Sequence, residues 1–387
     1  MLVVKLIVSL LILYKCECTL VMKACSDCML IRQCPDVVNI REPREKIKEK
    51  LSNSFCGITT DNGRRAIKIC CSDFAVRERD NITLSSRQKF NVLPIIDDTD
   101  YHANNIDNHT NIQLLPNICG KKFERASRRI IGGNEPNIYE FPWMALIYHK
   151  DNNGQVILHC GGSIISSRYI LTAAHCVYDK TITGVRVGDF NIQKETYCQG
   201  AYPNYVCELS PQELGVEKTI VHNEYCKEPN IINDIALLRV NESIDFSLKN
   251  VKPICLPVWK EIRDINLSGK ASIVAGWGVM DGGKRSDILQ KVTIPIMPET
   301  ECPNYFGRDS NPNQSSHKTF CAGETGKDSC NGDSGGPLMI FDKYKDNYRM
   351  IQYGIVSYGS QMCGYETPGV YTDVPKYMKW ILDNIEE

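Results

Sequence analysis

Hydrophobic positions along this chain fall into two kinds of run. One stands alone near the start: Leu6 to Tyr14, preceded by Lys5 and followed by Lys15-Cys16-Glu17-Cys18-Thr19. It is too short to cross a bilayer, which takes roughly 20 apolar residues. The small residues Cys16 and Cys18 stand third and first before Thr19, so residues 1–18 read as a secretory signal cut before Thr19. The second kind recurs from Cys119 onward. These runs are short and β-rich, such as Met144-Ala145-Leu146-Ile147-Tyr148 and Ala271-Ser272-Ile273-Val274-Ala275, and Gly, Asn, Asp and Pro turns bound them. They predict antiparallel strands. Only the end of the chain departs from this pattern. From Val374 to Ile385 apolar residues recur at helical spacing behind Pro375, which predicts one closing amphipathic helix. Charges and Gly interrupt every later apolar segment before it reaches membrane-spanning length. Residues 72–118 show neither period. Their Asn-rich text, such as His102-Ala103-Asn104-Asn105-Ile106-Asp107-Asn108, predicts a linker that buries too little apolar surface to order itself.

Composition narrows this picture. A chain of 387 residues, 42% hydrophobic and 24% charged, has room for a large domain and a smaller one and is not disordered throughout. With 45 Lys+Arg against 46 Asp+Glu there is no global basic field, so neither nucleic acid nor an anionic membrane is an expected partner. The 19 Cys are too many for a reducing cytosol and place the chain in an oxidising, extracellular compartment. Six of them crowd the head: Cys25, Cys28, Cys34, Cys56 and the adjacent pair Cys70-Cys71. Cys25 and Cys28 have metal-ligand spacing, but the head holds no His, and an oxidising compartment favours a disulfide framework with 15 possible pairings. Sequons at Asn81, Asn108, Asn241, Asn266 and Asn313 fit the same route, as permission for glycosylation.

Three segments of the body carry chemistry: Leu171-Thr172-Ala173-Ala174-His175-Cys176, Asn233-Asp234-Ile235-Ala236-Leu237-Leu238 and Gly332-Asp333-Ser334-Gly335-Gly336-Pro337. A serine hydroxyl is a poor nucleophile until a base takes its proton, and an imidazole base needs an acceptor to fix its tautomer. His175 and Asp234 can fill those two roles for Ser334. Taken singly, His175 could merely flank a disulfide, Asp234 could be a turn acid and the Gly-rich segment a plain loop. Their occurrence together, in this order, argues against coincidence.

With these motifs the chain from Ile130 onward resembles the chymotrypsin-like serine proteases. The resemblance implies an all-β fold of two six-stranded antiparallel barrels with a C-terminal helix. It makes Ser334 the nucleophile, His175 the base and Asp234 its orienting carboxylate, with an oxyanion hole from the N–H groups of Gly332 and Ser334. Asp328, six residues before the nucleophile, takes the floor of the primary pocket. A carboxylate buried there selects Arg or Lys, and the segments of Ser357, Gly359 and Gly369 match the pocket walls. Cutting after Arg129, in Arg128-Arg129-Ile130-Ile131-Gly132-Gly133, would free an α-amine at Ile130 to pair with Asp333, so the uncut chain is expected to be a zymogen.

The Cys-rich head resembles the clip domain of arthropod secreted proteases. The resemblance pairs Cys25 with Cys70, Cys28 with Cys56 and Cys34 with Cys71. In the body it pairs Cys160 with Cys176, Cys302 with Cys321, Cys330 with Cys363, Cys198 with Cys207, and Cys119 with Cys255 as the tether that keeps the head attached after activation. Of the 19 Cys, 17 remain after the signal, and eight bridges leave Cys226 over, as a buried thiol or an intermolecular link. The expected organisation is a signal (1–18), a clip domain (19–71), a linker (72–118), a tethered activation segment (119–129) and a protease domain (130–387). Such proteins act in prophenoloxidase activation, Toll-ligand processing or clotting. The expected partners are a protein substrate, an upstream activating protease and a serpin-type inhibitor. A noncatalytic clip cofactor and a digestive or venom trypsin are the alternatives. No cofactor is required. Asp189 stands where many relatives hold calcium, but Tyr197 precedes Cys198 where they often have Asp, so calcium is left open and no metal site is expected.

Overall fold

The computed structural model describes residues 28–30, 34, 55–61, 64–71, 106–121, 135–151, 153–194, 196–200, 203, 205–227, 231–279, 285–302, 318–323, 333–359 and 368–387. The chain divides into two compact units, Met1–Ile95 with Cys226–Asn230, and Ile96–Tyr225 with Ile231–Glu387.

The first unit holds a three-stranded antiparallel sheet of β1 (Cys28–Leu30), β2 (Phe55–Asp61) and β3 (Arg64–Cys70), in the order β1-β3-β2. So small a sheet has little core of its own, and disulfides supply the cohesion. Cys34 is bonded to Cys71, with both residues buried. Cys28 and Cys70 are also disulfide-bonded. Of their expected partners, Cys25 lies outside the described residues, and Cys56 lies in β2, where only the backbone is described.

The second unit contains two six-stranded arrays. The first is a closed antiparallel barrel of β4 (Met144–Lys150), β5 (Val156–Ile164), β6 (Tyr169–Thr172), β7 (Gly184–Val187), β10 (Gln212–Val221) and β11 (Ala236–Val240). A hairpin of β8 (Cys198–Gln199) and β9 (Val206–Cys207) projects between β7 and β10, closed by the Cys198–Cys207 disulfide. The second array orders β12 (Ala271–Gly276), β13 (Gln290–Pro295), β14 (Thr319–Ala322), β15 (Pro337–Tyr344), β16 (Asn347–Tyr358) and β17 (Gly369–Asp373) as β13-β12-β15-β16-β17-β14. A bridge between Ile296 and Ala322 draws its edges together. Many strands are covered on both faces, which is why they read as apolar runs and not as alternation: all four residues of β6 and all of Met144–Tyr148 are buried. The buried Ser163 of β5 donates its hydroxyl to Gln352 Oε1 of β16 at 2.6 Å, a polar pin between the two arrays.

The expected closing helix is present in two parts, a 3-10 turn at Val374–Tyr377 and an α-helix at Met378–Asn384. Pro375 sits where the first turn needs no N–H. Among the described residues two one-turn helices occur earlier, α1 (Ala174–Val177) and α2 (Lys260–Arg263), so the C-terminal helix is numbered α3. The apolar face of α3 (Met378, Ile381, Leu382) joins the core of the first barrel.

The end of the expected linker is not structureless. Thr110–Leu114 form a 3-10 turn, and Ile106 is buried. Asn111 Nδ2 donates to the carbonyls of Leu382 and Ile385 at 2.9 Å each, satisfying acceptors that the end of α3 leaves open. With His109 Nδ1 accepting the Asn111 N–H, its Nε2 donates to Asp383 Oδ1 at 2.9 Å. Side-chain hydrogen bonds, together with Ile106, Ile112, Leu114 and Leu115 packed on the core, order this stretch, and hydrophobic periodicity does not report them.

The expected bridges Cys119–Cys255, Cys160–Cys176 and Cys302–Cys321 are formed. Cys330 and Cys363 lie outside the described residues. Cys226 corrects the expectation: it is buried and disulfide-bonded, so it is not a leftover thiol. Because 17 is odd, a bonded Cys226 either displaces an expected pairing or keeps a cysteine counted with the signal. No described helix is long and apolar enough to cross a membrane.

Candidate active site

His175 and Asp234 are 59 residues apart in the chain and meet at one rim of the first barrel. His175 sits on α1, directly after β6, and Asp234 precedes β11, the strand that pairs with β6. The pairing of Thr172 with Ala236 therefore brings the two together. The His175 backbone N–H donates to Asp234 Oδ1 at 2.9 Å, and His175 Nδ1 lies 2.8 Å from Oδ2. The buried Ser357 of β16 donates its hydroxyl to the same Oδ2. Burial alone would push the Asp234 carboxyl up, but the His175 charge and the hydrogen bonds from His175 and Ser357 outweigh it and hold the group below the usual carboxylate value. An ionised carboxylate only accepts, so His175 must carry its proton on Nδ1 and present Nε2 as the acceptor. That is the tautomer a general base needs. Nε2 lies 3.6 Å from Cys176 Sγ, a disulfide sulfur with no proton to give. The ring is 20% exposed, so the base can be reached.

Asp234 is itself held by residues the motifs did not single out. Thr372 Oγ1 donates to its carbonyl at 2.8 Å. Asn233 takes a left-handed conformation, φ 51°, which Asn adopts more readily than most residues. Its Oδ1 accepts the Tyr377 hydroxyl at 2.8 Å, and its Nδ2 donates to Glu224 O at 2.9 Å. Ser357, expected on the pocket wall, spends its hydroxyl on Asp234, so its side chain serves the carboxylate. The only available signal was the Asn-Asp dipeptide. Ser357, Thr372 and Tyr377 are too far away in sequence for spacing to reveal.

Ser334 lies in the turn before β15. Its carbonyl accepts the N–H of Gly161 in β5 at 2.8 Å, and the N–H of Gly335 donates to Val356 O at 2.9 Å. Gly335 has φ 79°, and a Cβ there would come within 2.3 Å of Thr172 Oγ1 and 2.5 Å of Gly161 O. Only glycine lets the turn sit this close to β5 and β6. The Asp333 carboxylate accepts the N–H of Gly278 at 2.8 Å. Arg129, Ile130, Asp328 and Gly332 lie outside the described residues, as do Asn81 and Asn313. Gly369 is buried at the start of β17, Gly359 is exposed after β16, and Asn108, Asn241 and Asn266 are exposed.

Asp189, the acid of the calcium question, has a second acid, Glu208, close by. Asp189 Oδ2 pairs with Arg186 Nη1 at 3.2 Å, and Glu208 Oε2 accepts the N–H groups of Phe190 and Asn191 at 3.1 and 3.2 Å. Glu208 Oε1 is buried without a partner.

Comparisons with known proteins agree with this geometry. The family model described as Trypsin matches residues 130–381. Phenoloxidase-activating factor 1 of Holotrichia diomphalia is 38% identical over 282 residues, covering 70% of this chain and 74% of that protein. Serine protease ea of Drosophila melanogaster is 36% identical over 346 residues, 87% of this chain and 81% of its own. CLIP domain-containing serine protease B9 of Anopheles gambiae is 38% identical over 71% of this chain and 68% of its own. The crystal structure of the Drosophila Grass clip serine protease of the Toll pathway matches with a TM-score of 0.60 at 30% identity, covering 92% of this chain and 93% of that one.

Proposed function

The chain belongs to the trypsin family of serine proteases, in its clip-domain branch, and is a serine endopeptidase; on that premise we propose that it is a secreted zymogen, activated by cleavage after Arg129, that cuts another protein after Arg or Lys. The observation that carries the catalytic part is the Asp234 carboxylate, whose donors fix His175 in the basic tautomer. Ser334 then attacks the scissile carbonyl as His175 Nε2 takes its proton, and His175 returns that proton to the leaving amine. Gly332 and Ser334 N–H groups receive the oxyanion, and Asp328 receives the basic side chain of the substrate.

Secretion is supported by the apolar run at Leu6–Tyr14 and by the disulfides. Cys119 precedes Arg129 and is bonded to Cys255, so the cut would leave the head covalently attached. The relatives include a phenoloxidase-activating factor and a protease of the Toll pathway, which supports a place in an extracellular cascade, with an upstream protease as activator and a serpin-type protein as inhibitor. Asp189 is paired with Arg186, which Glu213 shares, and the reading routes no step through a metal.

The test is hydrolysis of an Arg-amide substrate before and after cutting at Arg129, beside Ser334→Ala. Activity that appears only after the cut, prefers Arg to Phe and vanishes in the variant is expected. A cut, folded protein that stays inert would make the chain a noncatalytic binding partner.

A further inference from the structure

One group of basic side chains beside the site has no part in the triad. His159 of β5 immediately precedes Cys160, whose bridge to Cys176 ties the strand to α1 and His175. Two residues later Gly161 donates to the Ser334 carbonyl. His159 therefore stands on the strand that touches both the base helix and the nucleophile turn. Its ring stacks on that of His149 in β4, with centroids 4.2 Å apart and planes at 22°, and both residues are half-buried. Two permanent cations close on the same place. Arg285, which precedes β13, donates its guanidinium to Leu158 O at 3.3 Å, and Lys180, in the turn after α1, donates its ammonium to His175 O at 3.0 Å. Burial, and then His149, Lys180 and Arg285 in turn, hold the His159 imidazole below its ordinary value, so the charged groups that act on it among the described residues are basic. Such a concentration of like charge is relieved by an anion.

We propose that His149, His159, Lys180 and Arg285 form an anion-recognition patch that takes an acidic side chain from the leaving half of the protein substrate. The direction follows from the chemistry. The leaving amine must take its proton from His175, so residues beyond the cut run past His175 toward the Cys160–Cys176 bridge and β5. A carboxylate offers only acceptors and the four basic groups offer donors, a match that favours acidic over amide side chains. The patch rests on the protease reading above.

The test uses two quenched peptides, cut after the same Arg, that differ only in Asp-Glu or Asn-Gln at the second and third positions beyond the cut. The ratio of their kcat/KM values cancels the titration of His175 and the active fraction. A protein cut after Arg129 that hydrolyses neither peptide refutes the protease reading; one that hydrolyses both equally leaves that reading standing and overturns the patch. We expect the acidic peptide to be favoured about fivefold at pH 8 and low salt. The ratio should climb as pH falls well below the ordinary imidazole value of about 6.5, because His159 is held lower, and shrink toward one in about 1 M salt. Arg285→Gln at pH 8, and His159→Gln at about pH 5.5 where the imidazole gains charge, should each at least halve the ratio while leaving the neutral peptide unchanged. A ratio that does not rise on acidification, or that both folded variants retain, overturns the assignment, and the parent protein alone decides the case if a variant fails to fold.

Discussion

Replacing Asp234 with Asn tests the central claim about His175, because the substitution changes almost no volume and reverses one donor. The Asn amide has two orientations. With its nitrogen at the Oδ1 position it would face the His175 backbone N–H, a donor that cannot move and now lies 2.9 Å from its acceptor. Burying two donors against each other costs about 1–3 kcal/mol. The amide oxygen therefore takes the Oδ1 position and the nitrogen the Oδ2 position, where the Ser357 hydroxyl can rotate and accept from it. The same NH₂ then donates to His175 Nδ1, which drives the proton to Nε2 and leaves no base facing the substrate. Catalysis must first restore the other tautomer against that amide, again about 1–3 kcal/mol, and must form an imidazolium without its carboxylate, worth about 1.5–3 kcal/mol more. The sum corresponds to a loss of kcat/KM on an Arg-amide of about 10²- to 10⁴-fold, with little change in KM. Serine titration would normalise the rates, and ¹⁵N shifts of the His175 ring would report the tautomer. A loss below about tenfold, or a ring that keeps its proton on Nδ1 in the variant, refutes the reasoning.

The remaining expectations concern the frame. Gly335 and Gly154 both have φ 79°, but a Cβ at Gly154 meets nothing within 4 Å. Gly154→Ala should therefore cost only the backbone strain of about 1–2 kcal/mol in denaturant unfolding. Gly335→Ala should cost clearly more and abolish serine labelling, and equal costs would contradict the packing of the nucleophile turn. Asp189 pairs with Arg186, although burial still pushes its carboxyl up; excess chelator should leave both Tm and activity unchanged, and a fall of several degrees would place a metal in that loop. His222 is buried against Tyr377 and Trp380, and burial, with Lys318 adding, pushes its imidazole down to about 4. A lowered His value contributes stability fully above the ordinary value of about 6.5 and loses it as pH falls toward 4, so unfolding free energy should drop by up to about 3 kcal/mol across that window. His222→Gln should flatten that part of the profile, and an unchanged slope would assign it elsewhere.

The strands and the pairing of His175 with Asp234 were legible because their signals are local. The apolar runs Met144–Tyr148 and Ala271–Ala275 are strands, the first buried throughout and the second buried at Ser272, Val274 and Ala275, and the residues around His175, Asp234 and Ser334 form short motifs. The disulfides that formed as expected likewise followed from a family resemblance in the cysteine pattern. What escaped is built from single hydrogen bonds across long separations. Residues 106–115 have no apolar period, yet Asn111 and His109 fasten them to α3, some 270 positions later.

The surroundings of Asp234 show the same division within one site. A sequence motif names the carboxylate, but the carboxylate works only if its two oxygens meet the right donors, and that depends on where the backbone of Asn233 turns. Asn233 is held by Tyr377 from the start of the C-terminal helix, Asp234 by Thr372 from the last strand and by Ser357 from the longest one. The second six-stranded array and the C-terminal segment thus orient an acid that belongs to the first barrel. Asp234 and Ser357 are both buried, so an error in that docking would leave unpaired polar groups away from water. The tautomer of His175 is in this sense a readout of whether the two halves of the protease unit have closed, which ties catalytic competence to completed folding of that unit.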